Sequence, residues 1–254
     1  MEWYWVVAIA VGSVAVLLVL SNIFYKQFFK RFYDVVLSGI ALIVLSPLLL
    51  ILTIAGAIAM HGNPFFVQPR PGKIDPKTGK ERIFSLVKFR TMSNKKDSEG
   101  NLLPDSVRLN KYGKFLRRTS LDELPELFSI IIGDMSIVGP RPQLVRDMVF
   151  MTPEQRFRHT VRPGLTGLAQ IRGRNAITWE NKLATDLFYI KKITMWDDLK
   201  IIFKTIGKVF KSEGITEAGE ATATDLGDYL LKKGEVDRAE FDSKQCEANE
   251  LMRM

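Results

Sequence analysis

The chain has 254 residues, enough for a substantial core, and its 36 Lys and Arg against 28 Asp and Glu give a formal charge of +8. The single cysteine, Cys246, excludes an intramolecular disulfide and a cysteine-based zinc site, and two histidines, His61 and His159, are too few for a His-rich metal site. Any metal would be held by oxygen.

The charge is uneven. Residues 212–254 carry eleven acids and five bases, a net of −6, so residues 1–211 carry +14. A body that basic suits nucleic acid, an anionic membrane surface or a phosphorylated substrate. Two long apolar stretches favour the last two.

The first is Trp3 to Tyr25, which has no charged residue. As a helix it would rise about 35 Å, enough to cross a bilayer. Trp3, Tyr4 and Trp5 at one end and Phe24 and Tyr25 at the other would form interfacial belts. Glu2 at the leading end and the lack of a small-residue cleavage site argue against a cleaved signal peptide. Lys26, Lys30 and Arg31 follow, which places the downstream side in the cytoplasm. Residues 1–29 are therefore expected to be a transmembrane anchor with its N-terminus outside.

The second stretch, Val35 to Met60, is also uncharged but carries Pro47 in its middle. Proline there removes the hydrogen bond to the carbonyl of Ile43, and Ser46 is placed to cap a carbonyl so freed. Basic residues flank both ends, Lys30 and Arg31 before, Arg70 and Lys73 after. From Asp34 to Ser46-Pro47 is about 18 Å of helix, roughly half a bilayer. Two readings stand at this point: a re-entrant hairpin over residues 30–61, and a kinked spanning helix.

From His61 the chain becomes a globular body, residues 62–211. Pro64 to Arg70 and Arg82 to Met92 read as extended segments around a turn-rich insert, Gly72 to Lys80, and alternation puts Lys88 and Arg90 on one face. Val107 to Arg118 reads as one basic amphipathic helix, either packed on the core or lying in the headgroup layer. Thr119 to Pro142 then brings Ser120 as an expected helix N-cap with Asp122 and Glu123 in the first turn. Neighbours on a helix diverge by about 100°, so one acid could bind a metal while the other attacks. The plainer role is to complement the helix dipole. The segment ends in a Gly-Pro-Arg-Pro turn that stiffens the backbone around Arg141. Asp186 to Lys211 repeats the amphipathic theme, and residues 212–254 read as a weakly ordered acidic tail or partner-binding segment.

Arginines recur in glycine- and proline-rich turns: Arg70, Arg141, Arg162, Arg172 and Arg174. Such turns present a fork of donors suited to phosphate. With them come carboxylates at Asp122, Glu123, Asp134, Asp186, Asp197 and Asp198. Carboxylate-bound Mg²⁺ facing an arginine-rich pocket neutralises a diphosphate for attack. No Walker A sequence or Rossmann glycine triplet is present, which excludes those nucleotide sites. The membrane segments point to a lipid phosphate as acceptor and argue against a nucleic-acid partner. The competing class is a non-catalytic membrane-surface scaffold that binds anionic lipid.

From about Lys30 to about Glu220 the chain resembles the bacterial sugar transferases known as monotopic phosphoglycosyl transferases. The matching stretches are KRFYDVVLSGIALIVLSP, FFVQPRPG, KFRTM, SLDELPELFSIIIGDMSIVGPRP, HTVRPGLTGLAQIRGRNAITW and DLKIIF. The resemblance implies an α+β, predominantly helical fold: a re-entrant membrane hairpin bent at Ser46 and Pro47, interfacial amphipathic helices, and a small β element. The N-terminal transmembrane helix is an addition to it. The resemblance implies transfer of a sugar-1-phosphate, with an N-acetylated amino sugar the expected sugar, from a UDP-sugar to undecaprenyl phosphate. UMP is released, and Asp122 carries a covalent phosphosugar in a ping-pong mechanism. Glu123 with Asp122 would hold Mg²⁺, and Lys88, Arg141, Arg162 and Arg174 would contact phosphate or nucleotide. It also implies the bacterial inner membrane, with the catalytic domain on the cytoplasmic face. The candidate protein partners are a second copy or downstream glycosyltransferases. The insert at Asp75 to Lys80 and the acidic tail depart from the family pattern.

Overall fold

Apolar composition and helix propensity set the first third of the chain. In the computed structural model, which describes residues 2–173, 177–211 and 224–253, α1 runs Glu2–Ile23 and exposes Trp3, Trp5, Val6, Ile9, Val11 and Ile23. A short π-helical segment, Tyr25–Phe29, leads into α2, Lys30–Met60. The segment Tyr25–Met60 is long and apolar enough to cross a membrane.

α2 continues as helix through Pro47, where the sequence predicted a break. Ser46 Oγ donates to Ile43 O at 2.8 Å, which satisfies the carbonyl that proline leaves without its partner. The helix also lies on the globular body along its whole length. Near its start Arg31 donates to Ile130 O and Ile131 O, and Asp34 Oδ1 accepts from Ile137 N. In the middle Ala41, Leu42 and Leu45 pack on Phe84, Leu127 and Ile130, while Leu48, Leu49 and Leu52 pack on Phe89 and Leu116. Near its end Asn110 Nδ2 donates to Ala59 O and Tyr112 Oη to Leu52 O. A Cβ on Gly56 would stand 2.9 Å from both Pro64 Cβ and Tyr112 Oη, so that contact needs glycine. The opposite face exposes Leu37, Ile40, Ile43, Val44, Leu50, Ile51, Ile54 and Ile58.

The body is mostly helical, with two small sheets. Strands β1, Phe65–Ile74, and β2, Glu81–Phe89, form an antiparallel hairpin in which Phe65 pairs with Phe89 and Arg70 with Phe84. Its tip falls in the predicted insert. α3, Asp105–Arg108, and α4, Lys111–Thr119, replace the single helix expected over 107–118. The division follows from Asn110, whose side chain accepts from Gly113 N and starts α4 anew, while Leu109 bridges to Met92. The basic amphipathic segment therefore packs on the core, with Leu116 fully buried.

After α5, Glu126–Ile132, strand β3, Ser136–Val138, pairs in parallel with β4, Gly164–Thr166. Between them lie α6, Val145–Met148, and α7, Pro153–Arg156. A Cβ on Gly164 would meet Gly139 N at 2.1 Å, a close approach that seats the Gly-Pro-Arg-Pro turn on β4. α8, Leu168–Arg172, α9, Trp179–Lys191, and α10, Met195–Lys211, follow. The sequence read Asp186 to Lys211 as one element. The structure divides it because Thr194 Oγ1 accepts from Asp197 N and opens a new helix.

The C-terminal segment differs most from expectation. Residues 224–253 hold two helices, α11, Leu226–Lys233, and α12, Arg238–Arg253. Leu226 and Ala248 are buried in a core shared with Val145, Met148, Phe150, Trp179 and Leu183. The negative charge suggested a weakly ordered tail. Apolar residues at helical spacing, Leu230, Phe241 and Leu251 among them, pack against that core instead.

Candidate active site

Ser120 is the hinge of the site. Its backbone is left-handed (φ 55°), and it ends α4 rather than capping a new helix with its side chain. The chain restarts as a 3₁₀ turn, Leu121–Glu123, in which successive side chains lie about 120° apart. Asp122 and Glu123 therefore diverge, as expected, although from a tighter turn.

Glu123 Oε1 accepts from Lys88 Nζ at 2.9 Å and from Arg141 Nη2 at 2.5 Å. β2 supplies the lysine, and the Gly-Pro-Arg-Pro turn supplies the arginine. Burial alone would raise the Glu123 pKa, but the charges of Arg141 and Lys88 outweigh it and hold the group well below the usual range. Asp122 behaves oppositely. Burial, then the neighbouring charge of Glu123, raises it to about 6 against the pull of Lys88 and Arg141.

A third carboxylate was passed over in the sequence. Glu126 is buried, and its Oε1 lies 2.9 Å from Lys88 Nζ, off hydrogen-bond geometry, with no hydrogen-bond partner. The signal was present: Glu126 falls one helical turn after Asp122 and Glu123.

Lys88, Asp122, Glu123 and Arg141 line one cavity of about 520 Å³, and Glu126 lies behind them. Eight cations line it (Arg70, Lys88, Arg90, Arg108, Arg117, Arg141, Arg146, Lys182) against five acids, a balance suited to a polyanion. Two arginines, Arg70 in the wall and Arg158 behind it, hold the Gly-Pro-Arg-Pro backbone. Arg70 Nη1 donates to Pro142 O at 3.1 Å, and Arg158 Nη2 donates to Arg141 O at 2.6 Å. Arg158, 1 % exposed, had no signal in the sequence beyond its charge; it pairs with buried Asp186 at 2.8 Å.

Several sequence candidates lie elsewhere. Arg162 is absent from the cavity wall: its Nε donates to Gly133 O at 2.7 Å, because the turn leading into β4 points it at the end of α5. Asp134 is beside it, 3.4 Å from Arg82. Asp198 is a buried anchor that accepts from Tyr25 Oη, Tyr189 Oη and Lys30 Nζ. Asp197 accepts from Thr194 at the start of α10. Arg172 stacks on Phe188, 5.6 Å from the ring centre. Arg174 falls outside the described residues.

For a divalent ion, the carboxylate oxygens of Asp122 and Glu123 on the cavity wall are the right kind of donor for Mg²⁺. Among the described residues no ready-made group of three or more acids, His or Cys could hold a metal.

This constellation sits on a fold whose sequence belongs to the bacterial sugar transferase family, the profile of which matches residues 25–212. The protein is a sugar transferase. Over 195 residues it is 46% identical to the sugar transferase EpsL of Bacillus subtilis (strain 168), covering 76% of this chain and 93% of that one. It is 40% identical over 192 residues to the UDP-glucose:undecaprenyl-phosphate glucose-1-phosphate transferase of Klebsiella pneumoniae, covering 72% of this chain but 40% of that one. It is 33% identical over 195 residues to the UDP-N-acetylgalactosamine-undecaprenyl-phosphate N-acetylgalactosaminephosphotransferase of Aeromonas hydrophila, covering 74% and 45%. The chain thus spans less than half the length of these two longer relatives.

Proposed function

We propose that the protein transfers a sugar-1-phosphate from a UDP-sugar to undecaprenyl phosphate, releasing UMP, and that Asp122 carries the phosphosugar between the two steps. One observation carries the reading: a half-buried carboxylate, Asp122, faces a cation-lined cavity beside a Lys88–Glu123–Arg141 cluster. The names of the relatives from Klebsiella and Aeromonas support the acceptor.

In the first step an Asp122 carboxylate oxygen attacks the sugar-bearing phosphorus of the donor. The bond from that phosphorus to the bridging oxygen breaks, and the electron pair leaves with UMP. In the second step a phosphate oxygen of the lipid attacks the same phosphorus and releases the Asp122 carboxylate. Arg141 and Lys88 spread the charge on the transferring group, and Glu123 orients both cations. Mg²⁺ bound by Asp122 and Glu123 would supply further charge neutralisation to the diphosphate. Lys88 and Arg141 are the substrate contacts, and Arg162 acts outside the cavity. We take an N-acetylated amino sugar as the donor's sugar, in line with the name of the Aeromonas relative.

In this reading residues 1–29 anchor the chain in the bacterial inner membrane and residues 30–61 enter and leave one leaflet from the cytoplasmic face. Contacts of both ends of α2 with the one body, Arg31 with Ile130 and Ala59 with Asn110, support that path. Residues 62–211 then carry out the chemistry at headgroup depth, where scarce water protects the intermediate. The test is UMP release by the full chain with Mg²⁺, undecaprenyl phosphate and a panel of UDP-sugars. Mass spectrometry without acceptor should find the phosphosugar on Asp122, and Asp122→Asn should lose both signals. An active Asp122→Asn enzyme would refute the mechanism.

A further inference from the structure

The family match ends at residue 212, yet residues 224 and 225 line the same cavity as Asp122. Three contacts fix them there. Trp179 Nε1 donates to Thr224 O at 3.0 Å. Leu226 N donates to Asp147 Oδ1 at 2.8 Å, and Asp147 Oδ2 accepts from Leu144 N at 3.1 Å beside the Arg141 turn. The third is steric: a Cβ on Gly227 would fall 2.6 Å from the Phe150 ring, so α11 is seated directly on the core under the site.

Asp225 occupies the N-cap position of α11 without capping it. An aspartate there ordinarily accepts from the helix's own amides. This one turns to Arg146, with Oδ2 2.6 Å from Nη2, on the cavity wall. Of the other acids of the wall, Asp122 is the proposed nucleophile and the remaining three are occupied. Glu123 is paired with Lys88 and Arg141, Asp186 with Arg158, and Asp147 spends both oxygens on backbone amides. A carboxylate beside a guanidinium, at the edge of a cationic cavity, accepts from paired neutral hydroxyls while its neighbour donates to them. Of the parts of a UDP-sugar, only the two sugar rings offer vicinal hydroxyls.

We infer that Asp225, presented by the C-terminal helices and paired with Arg146, is a donor-selecting residue that binds a vicinal diol of the UDP-sugar. The inference rests on the transferase reading above. The start of the C-terminal segment is thus part of the active-site wall.

The experiment measures UMP release by the full chain with UDP-glucose, UDP-galactose, UDP-N-acetylglucosamine and UDP-N-acetylgalactosamine, and with the 2′-deoxyuridine form of the best donor. Wild type is compared with Asp225→Asn, which keeps the shape, with Asp225→Ala, and with exposed Asp228→Ala as control. Both Asp225 variants should raise KM for the preferred donor about tenfold or more with little change in kcat, since a hydrogen bond to a charged group is lost. Collapse of the preference between 4-epimers places the diol on the transferred sugar. Collapse of the preference for uridine over 2′-deoxyuridine places it on the ribose. KM within twofold of wild type for Asp225→Asn, with both preferences intact, overturns the inference. No UMP from wild type with any donor would instead sink the transferase reading itself.

Discussion

Removing the Arg141 side chain tests the charge arrangement most directly. Its guanidinium sits 2.5 Å from Glu123, while its backbone is held independently by Arg158 through Arg141 O and by Arg70 through Pro142 O. Arg141→Ala should therefore leave the turn in place and report the side chain alone. Loss of one preorganised group at a developing charge costs about 2.7–4 kcal/mol, so kcat should fall ~10²- to 10³-fold. A second readout follows from Asp122. Attack requires the ionised carboxylate, whose pKa lies at about 6, so kcat/KM should rise as pH increases through that value. Arg141 is one of the two charges that pull this pKa down, so its loss should move the midpoint to higher pH. The assay is initial-rate UMP release from pH 5 to pH 9, at saturating donor for kcat and at donor well below KM for kcat/KM, with thermal melting as a check on folding. A variant within tenfold of wild-type kcat, or one whose midpoint stays put or falls, would refute the reasoning.

Arg158→Met should destabilise the chain by about 3–5 kcal/mol, because it strands buried Asp186, and a melting point on the order of 10 °C lower would show it; a loss under about 2 °C would contradict the pairing. For the membrane path, single cysteines at Phe28 and Phe65 in a Cys246→Ser background should both react with an impermeant thiol reagent from the cytoplasmic side only. Labelling of the two from opposite faces rules out the re-entrant path.

The Asp122–Glu123 pair, Lys88 and Arg141 were legible because their information is local: a dyad, an alternating strand and a rigid turn. Helix boundaries were less so. Val107 to Arg118 has one amphipathic stripe, and only the competing hydrogen bond of Asn110 with Gly113 reveals two helices. At Pro47 the sequence marked a bend; the residues stay helical there, with Ser46 taking up the carbonyl that proline orphans. The C-terminal segment misled because net charge is a poor guide once an acidic sequence also has an apolar face. Asp225 points into the cavity through a core contact, Leu226 on Val145 and Phe150, that composition does not announce.

The arginines show why motif counting alone stops short. Arg70, Arg141 and Arg162 share one sequence context, a turn rich in proline or glycine, and the structure gives them three tasks. Arg70 braces a carbonyl of the turn that carries Arg141, Arg141 faces the cavity, and Arg162 caps the end of α5 at Gly133. A turn fixes where a guanidinium starts, but which carbonyl or carboxylate lies within its reach is set by long-range pairing, here of β3 with β4 and β1 with β2. A phosphate site built this way needs more arginines than touch phosphate. Each cation aimed at the substrate must be held against the pull of its own acidic partners, and guanidiniums bonded to backbone oxygens, as Arg70 is to Pro142 O and Arg158 to Arg141 O, do that by fixing the turn rather than the charge.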